Sequence, residues 1–109
     1  MAAFQIVTPV KFGQIAIGVT NTPIYTVPLN MAAYLKDIDI PNTSAAAIAV
    51  TVYIGAGSAS VNILIPAVTI PANSIFQWTG TQILNAGDTI VAVAAALGCN
   101  AIVSGATAV

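Results

Sequence analysis

Residues 70–96 spell out a strand, a turn and a second strand. Ile70-Pro71-Ala72-Asn73 opens on turn formers, and residues 74–80 are aromatic and β-branched. Asn85-Ala86-Gly87-Asp88 then supplies a residue free to take positive φ beside a side chain able to hydrogen-bond its own backbone. Residues 89–96 follow as a second strand, rich in Val and Ala.

The rest of the chain repeats this grammar. Residues 47–54 set Ile48, Val50, Val52 and Ile54 against Ala47, Ala49, Thr51 and Tyr53, a period of two that turns the β-branched row toward a core. Residues 14–20 alternate bulky and small, and residues 23–28 form a short run with prolines only at its ends, where a missing N–H is tolerated. In residues 33–42, Ile38 and Ile40 occupy one face and Asp37 and Asp39 the other, so this strand has a wet side; Lys36 shares the parity of the inward residues and is expected where the strand emerges. Residues 61–70 are bent or placed at an edge by Pro66, and residues 101–108 close the chain after a Gly98-Cys99-Asn100 turn. Short β runs recurring about every ten residues, with no amphipathic helix, predict an all-β fold: an antiparallel β-sandwich, jelly-roll-like, of about eight strands. The expected organisation is an extended N-terminal arm at residues 1–12 and one sandwich domain at 13–109. The arm carries Phe4, Ile6, Val7, Val10 and Phe12 around Pro9, and it is either an edge strand of its own domain or a segment lying on a neighbouring subunit, the second being preferred.

Charge decides which functions are open. Charged residues make up 5% of the chain, and there is no His, Glu or Arg. Lys11, Lys36, Asp37, Asp39 and Asp88 are the whole ionic inventory, for a formal net charge of -1. A solitary soluble domain relies on more charge than this, and a hydrophobic content of 58% exceeds what one small core absorbs, which points to assembly. The bland alternative is that abundant Ala inflates that percentage without making a sticky surface, and assembly is preferred. Without His, Ser-His and Cys-His catalysis are excluded, and Cys99 among apolar neighbours reads as a buried side chain, so no catalytic residue, cofactor or metal site is expected. Asp37 and Asp39 alternate on one strand face and read as solvated carboxylates in preference to a weak cation site. Two lysines make no nucleic-acid surface. Residues 89–109 are uncharged and long enough to span a bilayer, but Asn100, Ser104 and Thr107 interrupt them and no basic residue flanks them, so no membrane segment is expected. Residues 1–5 carry no positive n-region, so no Sec-type signal peptide is expected. Asn42-Thr43-Ser44 fits the glycosylation pattern but reads as a turn, and the Gly55-Ala56-Gly57 step reads as a loop and not a phosphate cradle.

Three segments together, Ile24-Tyr25-Thr26-Val27-Pro28, Lys36-Asp37-Ile38-Asp39-Ile40-Pro41-Asn42-Thr43-Ser44, and Ile70-Pro71-Ala72-Asn73 leading through Trp78-Thr79-Gly80 to Leu84-Asn85-Ala86-Gly87-Asp88-Thr89-Ile90, resemble small β-sandwich accessory structural proteins of tailed bacteriophages. The resemblance covers roughly residues 22–108 and implies a non-enzymatic capsid decoration (cement) protein. It implies a homo-oligomer, a trimer, that clamps the major capsid protein on the capsid exterior of the virion after synthesis in the bacterial host cytoplasm. On this reading Phe4, Ile6, Val7, Val10 and Phe12 form a reaching arm, and Phe76 and Trp78 serve as interface anchors. Two alternatives stand beside it: a phage tail or head-fibre component, and a carbohydrate-binding adhesion module using Trp78, Tyr25, Tyr34 and Tyr53.

Overall fold

The computed structural model describes residues 7–56 and 60–109. Eight strands run in chain order as β1 (Val7–Ala16), β2 (Thr22–Thr26), β3 (Ala32–Asn42), β4 (Ile48–Gly55), β5 (Ile63–Ile70), β6 (Ser74–Leu84), β7 (Thr89–Ala94) and β8 (Asn100–Ala108), with one 3₁₀ turn at Ser60–Asn62. They form two antiparallel four-stranded sheets, a front sheet ordered β1-β8-β3-β6 and a back sheet ordered β2-β7-β4-β5. Each strand pairs with its mirror in chain order, β1 with β8, β2 with β7, β3 with β6 and β4 with β5. A long hairpin rolled up on itself produces this order, which makes the sandwich a jelly roll.

The core lies where the two inner faces meet. Ile48, Val50 and Val52 of β4 and Leu35, Ile38 and Ile40 of β3 are buried, facing the small Ala92, Ala94 and Ala101 and the larger Ile90 and Val103. Large and small residues sit side by side across the ladder, Val50 beside Ala94 and Val52 beside Ala92. This explains the Ala- and Val-rich composition of β7 and β8, each an interior strand of its sheet.

Turn chemistry follows the sequence closely. Gly87 takes φ 87°, the Asp88 carboxylate accepts from the Asn85 backbone N–H at 2.9 Å, and Asn73 sits at φ 54° ahead of β6. Pro9, Pro23 and Pro66 all fall on edge strands. Asn42 is buried, its amide committed to neighbouring carbonyls, so the Asn42-Thr43-Ser44 sequence forms a structural turn.

Two of the register shifts bear on the expectations above. One lies between Lys11 and Gly13 and turns Phe12 inward, where it is buried and stacks on Tyr25 of β2 with ring centroids 4.6 Å apart. The expected break at residue 12 therefore has no structural counterpart, because β1 crosses it and pairs with β8 along its length. Phe12 belongs to the core and not to a reaching arm, since an edge strand of this domain buries it with no neighbour required. Val10 also packs on the core, while Phe4 and Ile6 lie outside the described residues. The second shift, between Leu35 and Asp37, releases Lys36 from the inward parity: it is exposed, and its Nζ donates to Thr81 Oγ1 at 2.9 Å.

Candidate interaction surface

Four of the five ionised side chains stand on the front sheet. Lys11 of β1 and Lys36 of β3 line a shallow groove with Ser104 and Gly105, and Asp37 and Asp39 follow on β3. The fifth, Asp88, is tied into the β6–β7 turn. No strand of the back sheet contains a charged residue. Its outer face carries the row Pro23, Val91, Tyr53 and Ile63, set side by side by the strand register.

Asp37 and Asp39 share the outer side of β3, and Asp39 Oδ1 is shielded from solvent without a hydrogen-bond partner among the described residues. Desolvation raises the pKa of Asp37, as do the charge of Asp39 and a hydrogen bond with the Asp39 side chain. The folded chain therefore holds this proton more tightly than the unfolded chain, so stability falls as pH rises through the folded-state pKa of Asp37. The thermal unfolding midpoint is expected to fall as pH rises from the ordinary carboxylate range toward neutral. Asp37→Asn should flatten that trend and be at least as stable as the parent at neutral pH; a steeper dependence in the variant would contradict the assignment.

The residues expected to form the interface are divided by the fold. β1 and β6 are opposite edges of the front sheet, so Val7, which is exposed, and Val10 are separated from Phe76 and Trp78 by two strands. Phe76 and Trp78 are brought together, half-buried on the inner side of β6 opposite Ile40 and Ile38. The Trp78 ring lies along its own strand over Gly80, where an added Cβ would meet Cζ2 at 3.1 Å. Sequence reasoning missed Ile75 and Ile83, which point outward from the same strand at 53% and 65% exposure. Their signal was the odd-numbered row of β6, overshadowed by the aromatic residues on the even row.

The Tyr and Trp side chains make no common platform. Tyr25 packs on Phe12, Trp78 faces inward at the edge, and Tyr34 and Tyr53 stand on different sheets. Cys99 is buried, and burial pushes its thiol pKa up, away from the reactive thiolate. Among the described residues, no three of His, Cys, Asp or Glu gather as a metal site would require. No protein-family model matches the chain, and no curated protein sequence matches it.

Proposed function

We propose that this protein is a non-enzymatic structural component of a virion, a decoration protein that attaches to the outside of a shell of major capsid protein and associates with copies of itself, a trimer being the stoichiometry the resemblance implies. The observation that carries the reading is the segregation of charge. A jelly roll living alone in water benefits from ions scattered over both outer faces, whereas here the strands of the back sheet have none, and its outer face sets the row Pro23, Val91, Tyr53 and Ile63 beside uncharged residues such as Thr51 and Thr69. Such a face is suited to being covered, and a contact of modest strength repeated at many lattice sites gives a shell large cumulative stabilisation. The dispersal of Tyr25, Tyr34, Tyr53 and Trp78 over separate surfaces argues against a sugar-stacking role.

Quantitative mass spectrometry of purified particles of the virus encoding the chain tests this. Hundreds of copies per particle are expected. A few copies would instead indicate a tail or head-fibre part, and absence from the particle would overturn the structural reading altogether.

A further inference from the structure

The four sheet edges are not equally protected. β1 carries Pro9, Lys11 and the shift at Phe12; β2 has only five residues and contains Pro23; β5 contains Pro66 and two register shifts against β4. Each of these devices blunts an edge against pairing with another chain. β6 is different. It has eleven residues with no Pro and no charged side chain, and its one register shift against β3 leaves its in-and-out alternation unbroken. Alternate backbone N–H and C=O groups along it point away from β3, with no strand beyond among the described residues.

We infer that β6 is a self-pairing edge, on which two copies of this chain join antiparallel about a two-fold axis at Thr79, making one continuous eight-stranded sheet from two front sheets. The register follows from the strand itself. Thr79 is the midpoint of Ser74–Leu84, so this alignment overlaps the whole strand. Ile75 and Ile83 each lie four residues from Thr79, so each exposed isoleucine of one copy meets the other isoleucine of the second copy on the outer side. On the inner side Trp78 comes opposite Gly80 of the second copy, over which that copy's own Trp78 ring lies, so the two indoles meet as diagonal neighbours within aromatic reach. Because β6 holds no ionised group, no like charges face each other across the axis, as a two-fold contact demands of an isologous surface. The contact links two copies whether these are single subunits or members of neighbouring trimers. It rests on the self-association proposed above but not on the capsid shell.

Cysteine pairs test the register, with Cys99 buried and out of play. Under mild oxidation Thr79→Cys should give a disulfide-linked pair, and a mixture of Ile75→Cys and Ile83→Cys should cross-link although neither does so alone. Random collision would link all combinations equally. Ile75→Lys/Ile83→Lys alters only exposed positions and should leave the unfolding midpoint near that of the parent, while weakening association in analytical ultracentrifugation by at least about a hundredfold through lost isoleucine burial and opposed charges. An assembly of any size that fails to cross-link at these positions, or a parent chain that remains single at millimolar concentration, overturns the inference. Copy number on particles is a separate readout, so failure here leaves the decoration reading standing, and failure there leaves the edge pairing standing.

Discussion

Gly105→Ala is expected to be the most damaging single methyl that can be added to this protein, lowering stability by more than about 3 kcal/mol in denaturant titration. Gly105 sits in β8 with Val10 of β1 on one side and Leu35 of β3 on the other, beside both register shifts. A Cβ there would overlap the Tyr34 backbone carbonyl and come within 2.8 Å of Phe12 Cε2. A rotating side chain relieves a clash cheaply, but a carbonyl inside a ladder moves only if β3 moves. The strand would have to leave β8, taking Leu35 and Ile38 with it, both fully buried. Gly87→Ala provides the control: its added methyl meets nothing within 4 Å, so only the positive φ opposes it, at a cost of about 1 kcal/mol. Phe12→Leu introduced beside Gly105→Ala should recover only part of the loss, because the carbonyl stays where it is. Equal effects from the two alanine variants would show that the packing at Gly105 had been misjudged.

The same residue marks how far the sequence could be read. Strand existence was legible wherever alternation was local: residues 47–54 became β4 with a shift of one position, and Ile38 and Ile40 turned inward as expected. So was the turn that needs Gly87, since its chemistry is complete within four residues. What failed was whatever depends on a partner distant in the chain. Phe12 looked like part of an arm because the shift at its position breaks the alternation of β1, and the strand that holds it, β8, lies at the other end of the sequence. Lys36 had the wrong parity for the same reason. Phe76 and Trp78 were read as interface anchors, yet that β6 ends a sheet follows only from strand order, so Ile75 and Ile83 went unnoticed. Gly105 appears in the sequence as an ordinary small residue in a strand; its necessity comes from three strands meeting.

Asn42→Ala should cost roughly 3–5 kcal/mol, a fall in melting temperature on the order of 15 °C or more. Asn42 is 1% exposed at the end of β3, and its amide joins elements of both sheets. Nδ2 donates to the carbonyls of Ala46 at 2.8 Å and Ile70 at 3.0 Å, with Pro71 a longer third at 3.3 Å. Oδ1 accepts from the Ser44 N–H at 3.0 Å and the Ser44 hydroxyl at 2.7 Å. Ile70 ends β5 of the back sheet, so one side chain fastens the β3–β4 turn to the start of the β5–β6 turn. Alanine removes the Asn42 donor from the buried Ile70 carbonyl and the Asn42 acceptor from the part-buried Ser44 N–H, and groups stripped of a partner away from water cost more than the original bonds contributed. Asn42→Asp separates geometry from chemistry. A carboxylate keeps the acceptor for Ser44 but turns a second oxygen toward the carbonyls of Ala46 and Ile70, and burial beside them favours the protonated acid. The folded variant then binds a proton more tightly than its unfolded chain, so its stability should rise as pH falls, approaching the parent only where the acid is protonated and able to donate. Thermal scans of the Asp variant across that range decide the matter, because loss of turn shape alone would leave the deficit independent of pH.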